Sequence, residues 1–181
     1  CYDMEGNLVW EHDLGDMQTR GSFGEGSTPA LYGNTVVVTW DHEGQSFIVA
    51  FDKGSGEELW RDDRDEPTSW ATPLVVEHAG RPQVVTAATN RVRSYDLNTG
   101  DIIWEGDGLT PNAIPSPVAA NGVVYLMSGY RGNALQAISL EHARGDIGGT
   151  DARLWEHGRD TPYVPSPLLY DDTLYFLKSN N

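Results

Sequence analysis

Cysteine and basic residues are scarce in this 181-residue chain, and long apolar runs are missing. The single cysteine, Cys1, excludes an internal disulfide and a cysteine-rich metal cluster. Only 12 basic residues stand against 27 acidic ones, and the resulting formal charge of −15 disfavours nucleic acid and anionic membrane surfaces as partners. No apolar run approaches the ~20 residues of a membrane-spanning helix. Because no long helical stripe of apolar residues is visible either, the chain is expected to be rich in strands.

The position of Cys1 leaves two interpretations open. A cysteine at the first position could carry the lipid of a mature lipoprotein, and such a residue is usually followed by a flexible polar linker. Here Tyr2 and Asp3 already belong to a patterned segment, which disfavours the lipid anchor.

The residues that are abundant favour strands and tight turns. The chain has 20 glycines and 10 prolines, together with many valines, threonines, tryptophans and tyrosines. With 39% hydrophobic residues it is also long enough to form a domain with a buried core.

Three series of residues repeat in phase along the chain. Prolines that each follow a serine or threonine recur at spacings of 44, 44 and 50 residues, at Pro29, Pro73, Pro117 and Pro167. Tryptophans recur at spacings of 50, 44 and 51 residues, at Trp10, Trp60, Trp104 and Trp155. Between them, Asp52 and Asp96 each lie 23 residues after a proline of the series and 8 residues before a tryptophan. This phasing predicts a tandem repeat of about 44 residues.

Each repeat has the pattern of four short strands joined by polar turns. In the first complete unit the predicted strands are 29–33, 36–40, 47–52 and 57–61, and glycines supply the turns. A period near 44 residues with this pattern predicts an all-β fold, a β-propeller of four-stranded antiparallel blades. The third unit carries a charged, glycine-rich insertion at 141–151, which we expect to be an exposed loop.

The segment that ends each repeat resembles the tryptophan-docking motif of the pyrroloquinoline-quinone (PQQ) repeat family. That motif is Ala-x-Asp-x-x-x-Gly-x-x-x-Trp, and residues 50–60 read AFDKGSGEELW. Residues 94–104 are similar with serine in place of alanine, residues 2–10 are one residue shorter, and residues 137–139 begin alike but lose the aspartate. The resemblance implies that Trp10, Trp60, Trp104 and Trp155 pack between adjacent blades and are structural, as are Asp52 and Asp96.

The repeat marks divide the chain into complete and partial blades. The predicted units are a half blade at 1–14, blades at 29–61, 72–105 and 116–156, and a half blade at 166–181. Members of the resembled family close at seven or eight blades, so we expect part of such a ring rather than a closed ring of four. An open half ring would expose blade faces and strand edges, which favours self-association.

The resemblance implies two branches of function. One branch contains dehydrogenases that hold PQQ and Ca²⁺ on the propeller axis, often against a pair of adjacent cysteines, and that pair is missing here. The other is non-catalytic and includes the propeller lipoprotein of the outer-membrane assembly machinery. We therefore expect a non-enzymatic scaffold or recognition module without a cofactor, located in the bacterial periplasm or otherwise outside the cytoplasm. The alternative is a fragment of a PQQ- and calcium-dependent alcohol or sugar dehydrogenase, and the sensor part of a membrane receptor also fits.

Candidate binding residues lie in the loops that precede each first strand, at 24–28, 68–72, 112–116 and 162–166. In this architecture such loops lie on one face near the axis, where propellers usually bind ligands. They present Trp70, Asn112 and Tyr163, and Tyr130 and Arg131 after a second strand are further candidates. An aromatic and amide rim suits a protein or peptide partner, or a carbohydrate. The alternative is that Trp70 and Tyr163 only pack over a neighbouring blade.

Other suggestive groups are interpreted as structural. The five histidines are scattered without a short-spaced pair, so no metal site is predicted. The run Asp62–Glu66 is expected to be solvated charge, with weak cation binding as the alternative. Residues 41–44 are expected to form a hairpin turn rather than a calcium loop. The glycine-rich segment Gly21–Gly26 is not followed by a helical pattern, which disfavours a phosphate site.

Overall fold

Short strands make up nearly all the regular structure of residues 1–178, the part of the chain that the computed structural model describes. A single turn of 3₁₀ helix at Arg20–Ser22 is the helical structure within this range, where no helix is long and apolar enough to cross a membrane. The strands are β1 (Ala30–Tyr32), β2 (Thr35–Trp40), β3 (Ser46–Asp52), β4 (Glu58–Arg64), β5 (Leu74–His78), β6 (Arg81–Thr86), β7 (Arg91–Asp96), β8 (Ile102–Asp107), β9 (Val118–Ala120), β10 (Val123–Ser128), β11 (Ala134–Ser139), β12 (Gly145–Asp146), β13 (Arg153–His157), β14 (Leu168–Tyr170) and β15 (Thr173–Tyr175).

The strands form three sheets and a final hairpin. The sheets have the orders β1-β2-β3-β4, β5-β6-β7-β8 with β12 added beyond β8, and β9-β10-β11-β13, and β14 pairs with β15. The expectation of an all-β chain with four-stranded antiparallel sheets is confirmed. The sheets occupy residues 30–64, 74–107 and 118–157, while residues 1–14 contribute one bridge between Tyr2 and Leu8. The last part of the half blade predicted at 166–181, residues 179–181, lies outside the described residues.

The antiparallel order gives every sheet two distinct ends. Because strand directions alternate, the loop before each first strand and the loop between the second and third strands lie at the same end. We call this the proline end, since the repeated Ser/Thr-Pro pairs lie there. The opposite end carries the turns that begin at Asp52 and Asp96, and we call it the aspartate end.

At the aspartate end, tryptophans of one repeat contact the turn of the next. The indole Nε1–H of Trp60 donates to the carbonyl oxygen of Leu97 at 2.8 Å, and that of Trp10 donates to Lys53 at 2.8 Å. Each ring lies against a glycine of the same turn, Gly100 or Gly56, where a Cβ atom would come within 2.7 Å of the ring. Glycine is therefore required both by this contact and by the positive φ at these positions.

The aspartate that begins each turn holds the backbone in the shape that receives the tryptophan. The carboxylate of Asp52 accepts hydrogen bonds from the backbone N–H groups of Gly54 and Ser55, both at 2.9 Å. Asp96 accepts equivalent bonds from Asn98 and Thr99. The bonds from Ser55 and Gly54 lower the pKa of Asp52, since they stabilise its charged form.

At the proline end, the hydroxyl before each repeated proline connects neighbouring sheets. The backbone N–H of Thr28 donates to the hydroxyl of Thr72 at 3.1 Å. The backbone N–H of Thr72 donates in turn to the hydroxyl of Ser116 at 3.2 Å. Ser116 continues the series by donating to the hydroxyl of Ser166 at 3.0 Å. These bonds give the Ser/Thr-Pro pairs of the sequence a physical role, because each one sets the distance between two first strands.

Two apolar layers fill the spaces between the sheets. One contains Val37, Ile48 and Trp60 of the first sheet with Val84 and Tyr95 of the second. The other lies between the second and third sheets and includes the fully buried side chains of Trp104, Leu126, Ile138 and Ile147. The core is therefore assembled between blades.

The insertion at 141–151 differs from the exposed loop that we expected. Ala143 and Ile147 are fully buried, and β12 within the insertion pairs in parallel with β8 of the preceding sheet. The expectation of exposure is therefore wrong for this part of the loop. Its apolar side chains belong to the same core cluster as Trp104, whose Nε1–H donates to Gln83 of its own sheet at 3.1 Å.

Trp155 has a different environment from the other tryptophans of its series. Its side chain is 45% exposed and lies 5.9 Å from the ring of Tyr125, measured between ring centroids. It faces a depression shared with Leu169 and Leu174 of the final hairpin.

A test of the docking contact compares Gly100→Ala with Gly80→Ala. Both glycines have a positive φ, but only at Gly100 would the new methyl group meet the Trp60 ring, whereas nothing lies within 4 Å at Gly80. We expect Gly100→Ala to lower the free energy of unfolding by about 1–3 kcal/mol more than Gly80→Ala, measured by urea denaturation. Equal destabilisation by the two variants would contradict the docking role of Trp60.

Candidate functional site

A shallow, mostly apolar pocket of about 370 Å³ opens at the proline end. It is lined by Phe23, Glu25, Gly26, Trp70, Ile114 and Tyr163. These residues come from four consecutive loops that precede first strands. The repeat therefore brings side chains that are far apart in sequence onto one surface.

The register of the repeat explains why these loops meet. Gly26, Trp70 and Ile114 each lie three residues before the repeated proline, and Tyr163 lies four residues before Pro167. The hydroxyl-to-amide bonds between neighbouring first strands hold the loops side by side. Equivalent positions in successive repeats therefore face the same pocket.

Trp70 is held in place by its neighbours on both sides. Its indole Nε1–H donates to the carbonyl oxygen of Gly24 at 2.8 Å, and its backbone N–H donates to Ala113 at 2.8 Å. Its ring crosses Gly26, where a Cβ atom would lie only 2.6 Å from the indole. Trp70 thus packs over the neighbouring loop, as the structural alternative proposed, and its half-buried ring still lines the pocket.

A buried ion pair lies directly beneath the Trp70 loop. Arg64 and Asp41 are both fully buried and joined by two hydrogen bonds, of 2.7 and 3.1 Å. Oδ2 of Asp41, which accepts the longer of these two bonds, also accepts a 2.6 Å bond from the hydroxyl of Ser69, the residue before Trp70. Burial opposes the charge on Arg64, but Asp41 and the Tyr95 hydroxyl outweigh it and raise the pKa of Arg64. Arg64 therefore stays charged, and the pair fixes the backbone next to Trp70.

A second carboxylate holds the same loop one residue earlier. Glu43 accepts a 2.7 Å bond from the hydroxyl of Thr68, which in turn accepts one from the backbone N–H of Arg20 at 2.9 Å. The two contacts tie the first residue of the 3₁₀ turn to the Trp70 loop. The position of Phe23, just after that turn, follows from them.

The acidic run Asp62–Glu66 is not simply solvated charge, and that interpretation needs correction. Strand β4 continues through Arg64, and Glu66 is also buried, where it accepts hydrogen bonds from the backbone N–H groups of Asn90 and Arg91. Arg93 pairs with the Glu66 carboxylate at 2.9 Å. Burial raises the pKa of Glu66, although these donors partly oppose the shift. The run joins the first sheet to the second.

Three of the predicted site residues form one stack beside the pocket. The rings of Tyr130 and Tyr163 are stacked with their centroids 4.9 Å apart. The guanidinium of Arg131 lies 5.2 Å from the centroid of the Tyr130 ring, within the range of a cation–π contact. Tyr163 is the member of this stack that lines the pocket.

Asn112 does not belong to the exposed rim, and its prediction as a ligand-binding residue is corrected. It is only 5% exposed and has a φ of +57°, a backbone conformation that asparagine tolerates better than most residues. The residue of that loop that faces the pocket is Ile114. Asn112 shapes the loop instead.

Sequence reasoning missed Phe23, Glu25 and Ile114 as lining residues. The candidate binding residues were chosen in each loop as large or amide side chains. This criterion favoured Asn112 and passed over apolar residues such as Ile114. The signal that could have found Ile114 was the repeat register, since it occupies the position of Trp70 in the next unit. Phe23 carries no comparable signal, because it depends on the 3₁₀ turn before it.

The proline end does not offer a metal centre among residues 1–178. In this range no group of three or more histidine, cysteine, aspartate or glutamate side chains is arranged to hold an ion. The pocket itself contains one carboxylate, that of Glu25.

Comparison with known proteins assigns the family. The sequence matches the family model described as "Outer membrane protein assembly factor BamB" over residues 1–140 and again over residues 44–181. The chain belongs to the BamB-like family of PQQ-repeat propellers. A curated relative, the outer membrane protein assembly factor BamB of Francisella salina, is 28% identical over 107 residues, or 59% of this chain and 18% of the relative.

Solved structures show the same fold. BamB from Moraxella catarrhalis matches with a TM-score of 0.58 and 16% identity, over 84% of this chain and 43% of that one. Quinohemoprotein alcohol dehydrogenase from Comamonas testosteroni matches with a TM-score of 0.59 and 18% identity, over 84% of this chain and 23% of that one. A europium-containing methanol dehydrogenase matches with a TM-score of 0.57 and 14% identity, over 86% of this chain and 27% of that one. These matches confirm the β-propeller. The chain spans less than half the length of each of these proteins, and the number of blades in the ring stays a prediction.

The buried pair beneath the Trp70 loop of this BamB-like chain is tested with Arg64→Met against Arg61→Met. Both arginines lie on β4, but Arg61 pairs with Glu58 at the surface. Arg64→Met leaves Asp41 buried without its partner, so we expect a loss of about 3–5 kcal/mol in the free energy of unfolding. Arg61→Met should cost less than about 1 kcal/mol.

Urea denaturation measures both values, and similar losses would contradict the supporting role of the pair. If Arg64→Met does not fold, Ser69→Ala is the milder variant. It removes one hydrogen bond to the Asp41 carboxylate and should cost about 1–3 kcal/mol.

Proposed function

We propose that this chain is part of a non-enzymatic propeller that acts as a protein-interaction scaffold outside the bacterial cytoplasm, in the periplasm. It contacts its partner through the proline end. The observation that carries the proposal is the pocket there, whose central tryptophan is fixed by hydrogen bonds while its face stays open. Membership of the BamB-like family, and a relative named as an outer membrane protein assembly factor, support the location and a protein partner.

The exposed aromatic surface at the proline end is typical of a binding site. The ring of Phe23 is 77% exposed and meets the edge of Trp70 at a centroid distance of 6.4 Å. Rigid aromatic side chains in an open pocket are the usual anchors of protein interfaces, because they bury a large area at little cost in side-chain entropy. A preformed pocket of this kind favours recognition of a partner.

The dehydrogenase alternative is favoured by fold likeness alone. The described residues do not fit a calcium-bound PQQ, since the pocket offers only the carboxylate of Glu25 and the sequence has one cysteine. The predicted carbohydrate ligand and self-association through blade faces likewise stay predictions.

The scaffold proposal is tested by photo-crosslinking in the bacterium that encodes the chain. Benzoylphenylalanine replaces Tyr163 at the proline end or, as control, Tyr32, which lies at the opposite end of the first sheet. We expect a discrete protein adduct from position 163 and none of the same size from position 32. Adducts that are the same at both positions, or missing at 163, would contradict a partner at the proline end.

A parallel assay separates the scaffold from the enzyme. The full-length protein that contains this chain is supplied with PQQ and Ca²⁺, and reduction of an artificial electron acceptor is followed with alcohols and sugars. We expect no substrate-dependent reduction. Turnover that requires PQQ would overturn the non-enzymatic proposal.

A further inference from the structure

We propose that the pocket at the proline end binds the cationic side chain of an arginine or lysine on the partner protein. This inference rests on the proposed function and specifies the chemistry of that site. The observation that carries it is the combination of three aromatic rings and one carboxylate around a single opening. These side chains are Phe23, Trp70, Tyr163 and Glu25.

The aromatic rings offer π faces and few hydrogen-bonding groups. The indole N–H of Trp70 is already used by the carbonyl oxygen of Gly24, and the amide of Asn112 is buried. A carbohydrate usually needs several donors and acceptors around an aromatic platform. The lining polar groups here are the Glu25 carboxylate and the Tyr163 hydroxyl, which favours a cation over a sugar.

Charge favours a cation over a neutral apolar side chain. None of the six lining residues in the described chain is basic, and exposed Glu25 lies at the opening. The formal net charge of −15 attracts basic partners and raises their rate of encounter. A cation placed over aromatic faces beside a carboxylate gains from both contacts.

The same surface already holds one cation in this way. Arg131 lies over Tyr130, whose other neighbour in the stack is Tyr163 of the pocket. A guanidinium on these rings is therefore compatible with the local geometry. The pocket offers further aromatic rings, with Glu25 among its lining residues.

The experiment compares two peptides that differ in charge alone. Acetyl-Gly-Gly-Arg-Gly-Gly-amide and its citrulline counterpart have the same shape, but citrulline is neutral. Binding is followed by NMR through the indole N–H signal of Trp70, assigned with Trp70→Phe. We expect saturable binding of the arginine peptide, and binding of the citrulline peptide about threefold weaker or more.

Two matched variants locate the cation. Glu25→Gln should weaken binding of the arginine peptide about two- to fivefold and leave binding of the citrulline peptide unchanged. The control is Glu57→Gln, at an exposed glutamate of the aspartate end, which should change the binding of neither peptide. Phe23→Leu, which removes one exposed ring but keeps an apolar side chain, should also reduce the preference for arginine.

Three results would overturn the proposal. Equal binding of the two peptides would assign the pocket to a neutral side chain, and saturation by maltose or N-acetylglucosamine would assign it to a sugar. Tighter binding of tetramethylammonium than of the arginine peptide would assign it to a free small cation. Each of these leaves the scaffold proposal intact if the crosslink at position 163 forms, whereas a missing crosslink refutes the scaffold and not the charge preference of the pocket.

Discussion

The contact between one repeat's tryptophan and the next repeat's glycine turn is the constraint on which the rest of this structure depends. Strands within a sheet are joined by backbone hydrogen bonds, but in the described chain no such ladder joins the first sheet to the second. The indole of Trp60 supplies both an apolar surface and a directed bond to the Leu97 carbonyl. It thereby fixes the distance and the angle of the following sheet. Asp96 holds the turn in a fixed conformation, and Gly100 leaves room in that turn for the Trp60 ring.

The opposite end of the same sheets can carry a binding surface because its backbone is fixed independently. The hydroxyl groups of Thr72 and Ser116 connect first strands, and the buried pair of Arg64 and Asp41 holds the loop before Trp70. With the backbone held in this way, aromatic side chains can remain open to solvent without collapsing onto the core. The aspartate end thus receives the docking tryptophans, while the proline end both connects neighbouring sheets and presents an aromatic pocket beside a carboxylate.

Much of this architecture could be predicted from the sequence, because a tandem repeat places the same residue types at regular spacings. The period, the four strands of a unit and the docking motif around Trp60 are all local patterns. The roles that escaped prediction depend on contacts between residues that lie far apart in the sequence. Arg64 was expected to be solvated within an acidic run, but the fold of the first sheet places Asp41 against it. The insertion was expected to be exposed, but its Ile147 is buried in the same core cluster as Trp104. Ile114 was passed over because an apolar residue in a loop carries no chemical signal of its own.

Hydrogen exchange of the indole N–H groups tests the central claim, that tryptophan docking joins the blades, most directly. NMR resolves the indole signals, which Trp→Phe substitutions assign. The account predicts that the N–H of Trp60, buried and bonded to Leu97, exchanges much more slowly than that of the half-exposed Trp155. Equal, rapid exchange at Trp60 and Trp155 would contradict it, because an indole bonded to the next blade exchanges only when the two sheets separate.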